Sequence, residues 1–198
     1  VAIGNNLPVQ PLLLNLKAMA QDKTSKHELN KTKRWPHPDG WGLSYLKHNK
    51  WITKKSTKPI FKDQNLSKYL SIQTSLLIAH VRKTSGTPIT YENAHPFHIK
   101  TKRPHSHNIA FCHNGSIDDN MTFNTSLFQL KGQTDTEQLL YAILSEEYQT
   151  HNLIQSIQHQ IKKLQNYSGT NIILATSQQT IIALAKNKYP QYYQMTLH

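Results

Sequence analysis

A chain of 198 residues is long enough to bury one core without disulfide or metal staples. Its single cysteine, Cys112, excludes an internal disulfide. No apolar run approaches the roughly 18–20 residues that cross a bilayer, and Val1 to Gln10 lack the basic-then-apolar pattern of a signal peptide. These features predict a cytoplasmic protein with no membrane contact. Net charge is +12, from 23 Lys+Arg against 11 Asp+Glu, and mean hydropathy is −0.60. The cations gather in two stretches, Lys17 to Arg34 and Lys47 to Lys68, among Asn, Gln, Ser and Thr. No aromatic residues alternate with them as base stacking would need. A solvated basic surface is the simpler reading, with no specific nucleic-acid partner.

Taken in chain order, Val1-Ala2-Ile3 ends at Gly4 and reads as the tail of a strand. Leu12, Leu13, Leu14, Leu16 and Met19 predict a helix within Pro8–Ala20, entered through Pro11. Gln21 to Pro38 is polar, basic and interrupted by prolines, a long loop. Trp41–Lys47 and Trp51–Lys55 predict a hairpin around His48-Asn49-Lys50. Ser75–Arg82 reads as a buried strand, Thr84–Pro104 as a second irregular stretch, and Asn108–His113 as a further strand. The Asn114-Gly115 pair that follows is a strong turn signal. Helices are expected over Thr134–Tyr148, with a capping segment at its start, and over Asn152–Gln165. Asn171–Thr176 and Thr180–Ala185 form a hairpin, and Tyr192–Leu197 adds a strand. Strands, then two helices, then strands argue for α+β packing in a single domain spanning 1–198, not for a parallel βαβ sheet.

Five short motifs stand in sequence: Asp39-Gly40-Trp41-Gly42, His80-Val81-Arg82, Asn93-Ala94-His95-Pro96-Phe97, His113-Asn114-Gly115 and Thr134-Asp135-Thr136-Glu137. Each alone is weak. An arginine ending a strand is commonly a surface ion-pair residue, and an aspartate at a helix start is commonly a cap. His95 alone reads as a satisfied loop histidine. In this order the motifs resemble the glutaminase domain of class II glutamine amidotransferases, N-terminal-nucleophile hydrolases, over about Ala2 to Ala185. The stand-alone branch with the Asp-Gly-Trp-Gly signature, which includes γ-glutamyl hydrolases, is the nearest in pattern.

The resemblance implies a four-layer αββα sandwich with two antiparallel sheets between helical layers. It implies hydrolysis of glutamine or a γ-glutamyl amide, with no cofactor. Asn114 and Gly115 would form the oxyanion hole through a side-chain amide and a backbone N–H, a pairing suited to an acyl-transfer intermediate. Arg82 would hold the substrate α-carboxylate with its planar fork of donors, and Asp135 the α-ammonium. Gly40 and Gly42 would let backbone pass close to the site, and His95 would line the pocket. The partner is a small-molecule substrate, and the resemblance leaves open a homo-oligomer or a separate ammonia-accepting protein.

The family nucleophile is an N-terminal cysteine, expected here just upstream of Val1. The alternative is a catalytically dead glutamine-binding protein of the same fold. Cys112 lacks a free α-amine and reads as a small buried residue. His98, His105, His107 and His113 match no zinc spacing, so no metal is expected. Lys83 and Thr84 stand where many relatives carry Trp-Ala.

Overall fold

The computed structural model describes residues 1–24, 26–101, 108–183 and 188–195. It contains two four-stranded antiparallel sheets. The first runs in the order β1 (Ala2–Ile3), β4 (Leu76–Val81), β2 (Trp41–Lys47), β3 (Lys50–Ser56). The second runs β5 (Phe97–Lys100), β6 (Asn108–Ile117), β7 (Tyr167–Ala175), β8 (Thr180–Ala183). The β2–β3 hairpin turns on two residues, His48 and Asn49, both at positive φ. That geometry matches strand twist and explains why the turn is so short.

Three apolar clusters stack through the molecule. Helix α1 (Val9–Ala20) presents Val9, Leu13 and Ala20 to Trp41, Leu43, Leu77 and Val81 of the first sheet. It begins two residues before Pro11, which sits in the first turn, where the missing N–H has no intrahelical acceptor. Between the sheets lies a smaller cluster of Trp51, Leu76 and Ile78 against Ala110, Cys112 and Ala175. The small residues on the second sheet let the layers approach. The largest cluster joins the second sheet to α2 (Asp135–Thr150) and α3 (Leu153–Lys163), with Phe111, Leu139, Leu140, Ile143, Leu144 and Ile157 nearly or fully inaccessible. Each such side chain contributes roughly 1.5–3 kcal/mol of transfer free energy. The result is the expected four-layer αββα sandwich.

Three local expectations are corrected. The Asn114-Gly115 pair makes no turn: β6 continues through it to Ile117, because β7 pairs with it residue by residue, Asn114 opposite Asn171 and Gly115 opposite Thr170. Cross-strand pairing overrides the local turn propensity. The stretch Thr84–Pro104 is not wholly irregular, since Phe97–Lys100 pairs with β6 as an edge strand. Tyr192 and Tyr193 lie in a turn and not in a strand, closed by the Tyr193 N–H donating to the Tyr189 carbonyl at 2.9 Å. No helix among the described residues is long and apolar enough to cross a membrane.

Candidate active site

The C-terminal end of β4, the middle of β6 and the start of α2 converge on one cavity of about 370 Å³. All five residues expected at the site, Arg82, His95, Asn114, Gly115 and Asp135, line it.

Arg82 follows the last residue of β4. Its backbone extends the sheet across to the Asp-Gly-Trp-Gly segment: the Arg82 N–H donates to the Gly40 carbonyl at 2.9 Å, and the Asp39 N–H to the Arg82 carbonyl at 3.0 Å. The Asp39 carboxylate accepts the Thr84 N–H at 2.9 Å, shaping the turn that follows. The Arg82 side chain is only 4% exposed. One terminal nitrogen donates to the hydroxyls of Thr84 and Thr87, at 3.2 and 2.5 Å. The other, Nη1, is buried with no protein partner. Burial lowers the guanidinium pKa, while the charges of Asp39 and Asp135 oppose the shift. A buried cation with one arm unpaired is costly, and an anionic ligand in the cavity would satisfy it.

Gly115 is required by space. A Cβ there would lie 1.8 Å from the Gly169 carbonyl oxygen and 2.7 Å from His113 Nε2. Gly42 has the same character, since its Cβ would lie 2.4 Å from the His95 carbonyl oxygen. Gly42 thus brings the His95 loop down onto the first sheet, while Gly40 packs against the Ser56 carbonyl oxygen, 2.8 Å from where its Cβ would lie. Asn114 is exposed, between buried His113 and half-buried Gly115, and lines the cavity.

Asp135 opens α2. Its oxygens accept the N–H groups of Ile117 at 2.7 Å and Thr136 at 2.8 Å, fixing the carboxylate against β6. The capping residue is its neighbour: Thr134 Oγ1 accepts the Glu137 N–H at 3.2 Å. Buried Glu137 in turn accepts from the N–H groups of Lys131 and Gly132 and from the Tyr141 hydroxyl. Asn93 accepts the Gln133 N–H at 2.8 Å and donates to the Pro88 carbonyl at 2.9 Å, tying the His95 loop to the approach to α2.

Four buried or half-buried histidines line the cavity: His80, His95, His113 and, on the far wall, His37. His113 donates from Nε2 to the Gly169 carbonyl at 3.0 Å, so its Nδ1 is left to accept the Thr136 hydroxyl at 3.1 Å. His80 and His95 have ring centroids 4.6 Å apart. Burial, and then the charges of His37, His113 and Arg82, bring the His80 pKa down to about 3. Burial holds His95 well below its ordinary value and lowers His113 despite the Asp135 charge beside it. These rings are neutral and offer the cavity hydrogen-bonding atoms without charge. Of the four histidines weighed for a metal, His98 is exposed and contacts Asn108, His113 is buried, and His105 and His107 lie outside the described residues. No group of three metal-ligating side chains occurs among the described residues.

Cys112 points the other way, into the layer between the sheets. Burial pushes its thiol up to about 11. A thiol so placed holds its proton at neutral pH and makes no nucleophile.

Sequence reasoning missed the far wall. It consists of Trp35 and His37 from the long loop and Tyr189, Tyr192 and Tyr193 from the C-terminal turn. His37 bonds to the Tyr192 hydroxyl at 3.0 Å, and Lys83 lies 4.5 Å from the Trp35 ring centre. The three tyrosines within five residues were the available signal.

Two antiparallel sheets between helical layers, with buried Arg82 and the strand-borne Asn114-Gly115 pair lining one cavity, make a four-layer αββα sandwich. The comparisons with known proteins agree. The class II glutamine amidotransferase family matches residues 16–188, and the chain belongs to that family. Over 104 residues it is 30% identical to YafJ of Escherichia coli (strain K12), a candidate glutamine amidotransferase by its name, covering 52% of this chain and 40% of the relative. It is 28% identical over 114 residues to the uncharacterized protein MJ1515 of Methanocaldococcus jannaschii, covering 56% of this chain and 31% of that protein. The chain therefore spans less than half the length of these curated relatives. Among solved structures, glutamine phosphoribosylpyrophosphate amidotransferase from B. subtilis superposes with a TM-score of 0.63 at 18% identity, covering 92% of this chain and 36% of that one. A predicted glutamine amidotransferase from Pseudomonas aeruginosa PA01 gives 0.52 at 16% identity, covering 75% and 60%. At these identities the likeness is one of fold.

Proposed function

We propose that this chain carries a glutaminase site that hydrolyses the side-chain amide of glutamine or a γ-glutamyl compound. The observation that carries the reading is the unpaired Nη1 of buried Arg82, in the same cavity as Asn114 and Gly115. Arg82 takes the substrate α-carboxylate, and Asp135, held rigid by two backbone donors, takes the α-ammonium. The γ-carbonyl then lies at Asn114 Nδ2 and the Gly115 N–H, which stabilise the oxyanion. Such a donor is typically worth about 10²–10³ in rate.

The nucleophile in this reading is a cysteine upstream of Val1. Strand β1 sets Ala2 opposite Leu77 and Ile3 opposite Leu76. Continued upstream, the same register would set residues preceding Val1 beside Ala79, His80 and Val81. Those residues line a second cavity of about 460 Å³ that also reaches Asn114, with Leu16 and Met19 of α1 on its flank. That register and the reach of this cavity to Asn114 support an upstream thiol near the Asn-Gly pair. Its thiolate attacks the amide carbon, the tetrahedral intermediate expels ammonia or an amine, and water hydrolyses the thioester to release glutamate and the thiol. The α-amine of the cysteine accepts the thiol proton and delivers it to the leaving nitrogen. Release of ammonia to an acceptor requires a separate protein or a further domain.

The test is glutamate release by the full-length protein incubated with glutamine and with γ-glutamyl dipeptides. Turnover supports the reading. Absence of turnover with a cysteine confirmed at the mature N-terminus overturns it. Inert Cys112 supports a second reading: without an upstream cysteine the same cavity serves a glutamine-binding protein, which intact-mass measurement distinguishes.

A further inference from the structure

The cavity carries one positive charge more than the proposed substrate head uses. Of the residues that line it, Arg82, Lys83 and Asp135 bear formal charge. A free α-amino acid head is a zwitterion, so its two charges answer Arg82 and Asp135 and leave Lys83 unmatched. No ion pair to Lys83 occurs among the described residues. The carboxylates of the adjoining segments are engaged elsewhere. Asp39 accepts the Thr84 N–H at 2.9 Å, and Asp22 accepts the Trp35 N–H at 2.9 Å and the Asn30 amide at 2.6 Å.

Lys83 is half-buried, and its amine lies 4.5 Å from the centre of the Trp35 ring. An ammonium on an aromatic face keeps its charge and gives up part of its hydration, so it meets an anion at lower desolvation cost. Trp35 and Asn114 both border the two adjoining cavities. The ring that Lys83 covers therefore flanks the same passage as the proposed oxyanion donor. His37, on the same wall, meets the Tyr192 hydroxyl through Nε2 and keeps Nδ1 buried and unpaired.

The wall that carries this cation is anchored. Glu28, in the long loop between α1 and β2, accepts the N–H of Gln191 at 2.8 Å and that of Tyr192 at 2.9 Å. The Tyr193 ring covers Gly169, where a Cβ would lie 2.8 Å from it, and Asn171 donates its amide to the Tyr193 carbonyl. The Asp22 bond to the Trp35 backbone pins the loop itself.

We infer that Lys83 is a specificity residue that binds a carboxylate carried by the departing amine. This rests on the glutaminase reading and narrows its leaving group, with the substrate head still held by Arg82 and Asp135. One lysine balances one charge, which suits a carboxylate better than a phosphate near two charges. The preferred γ-glutamyl amides are those of amino acids, and the amide of a neutral amine of similar size is the poorer substrate. A charged hydrogen bond of this kind is worth about tenfold or more.

The experiment compares the full-length protein with its Lys83→Met and Lys83→Arg variants. Methionine keeps an apolar stem on Trp35, and arginine keeps the charge. Rates are measured with γ-glutamylglycine, whose leaving amine carries a carboxylate, and with γ-glutamylethylamide, whose leaving amine does not. The kcat/KM ratio of the first to the second is expected to fall about tenfold in Lys83→Met and by much less in Lys83→Arg. Taking the ratio between variants cancels the intrinsic difference between the two amides and any general loss of fold. Added salt is expected to lower the ratio in the wild type and not in Lys83→Met. An unchanged ratio in Lys83→Met, or an equal loss in both variants, overturns the inference.

Should the wild type hydrolyse neither amide, glutamine turnover in the same preparation shows whether the glutaminase reading itself has failed, and the charge preference is read by calorimetry. γ-Glutamylglycine is then expected to bind the wild type about tenfold more tightly than γ-glutamylethylamide does, and the two to bind Lys83→Met equally. Equal affinities in the wild type, or binding of neither ligand, count against Lys83.

Discussion

The two walls of the cavity are built on different principles. One is made of regular structure: the Asn114-Gly115 pair sits inside a ten-residue strand, and Asp135 sits in the first turn of a helix. Its positions are over-determined by ladder hydrogen bonds and by the largest apolar cluster of the molecule. The opposite wall is made of a loop and a turn, held by Glu28, by the His37–Tyr192 bond and by ring contacts. The first wall can hold donors to within a fraction of an ångström, as oxyanion stabilisation requires. The second can open locally at modest free-energy cost, as a wall over a substrate must.

Substitutions that respect or violate this division test it. The largest effect is expected from Gly115→Ala. With the Gly169 oxygen 1.8 Å from the new Cβ, neither paired strand can yield, and more than about 4 kcal/mol of stability is lost; denaturant unfolding measures it. Asn114→Ala removes a donor from an exposed position, so kcat should fall about 10²–10³-fold with little change in Tm. A drop in Tm that matches the loss of activity would reduce the pair to a structural element. Arg82→Lys keeps the charge but loses the fork and its threonine contacts. KM for glutamine should rise about tenfold or more, corresponding to 1.5–3 kcal/mol for a charged hydrogen bond.

Acid should loosen the second wall. The His37 pKa is lowered from 6.5 to about 4, by burial and then by the Lys83 charge, with His27 adding to the depression and Asp22 and Asp39 opposing it. His80 is lowered to about 3. Below pH 6.5 the unfolded chain binds protons that these folded rings refuse, so their neutral burial costs stability there. Stability from this source is complete above about pH 6.5 and falls as pH drops toward 4. Tm measured across that range should decline, and His37→Gln should flatten the decline. The smallest effect is expected from Tyr192→Phe, which removes one hydrogen bond to a ring nitrogen. About 1 kcal/mol is at stake, and catalysis with glutamine should be nearly unchanged.

The same division explains what the sequence revealed. The first wall was readable because its residues are fixed by chemistry at short range. A cap at Thr134, apolar periodicity along α2 and the ordered motifs each point to one structure. The motif order placed Arg82, Asn114 and Asp135 together although the outermost two stand 53 positions apart (82 to 135). The second wall rests on contacts between residues far apart in the chain, such as Glu28 with Gln191, and nothing in either local pattern reports the other. The tyrosine-rich end reads as a strand by composition, and only docking against Gly169 and Asn171 makes it a turn. The edge strand Phe97–Lys100 was hidden for a similar reason, since four residues beside prolines carry too short a pattern to declare a period. Gly115 shows the reverse error: the strongest local turn signal in the chain was overruled by eight paired positions along β7.

That overruling also bears on chemical ageing. An asparagine followed by glycine deamidates when the glycine nitrogen folds back onto the side-chain carbon and closes a five-membered imide. In this protein the backbone on both sides of that bond is held extended by its partners Asn171 and Thr170. The sequence pair most prone to spontaneous damage is thus kept in the geometry least able to undergo it. Its chemical lifetime is expected to follow how often β6 and β7 separate, so the durability of the site becomes a property of the sheet rather than of the asparagine.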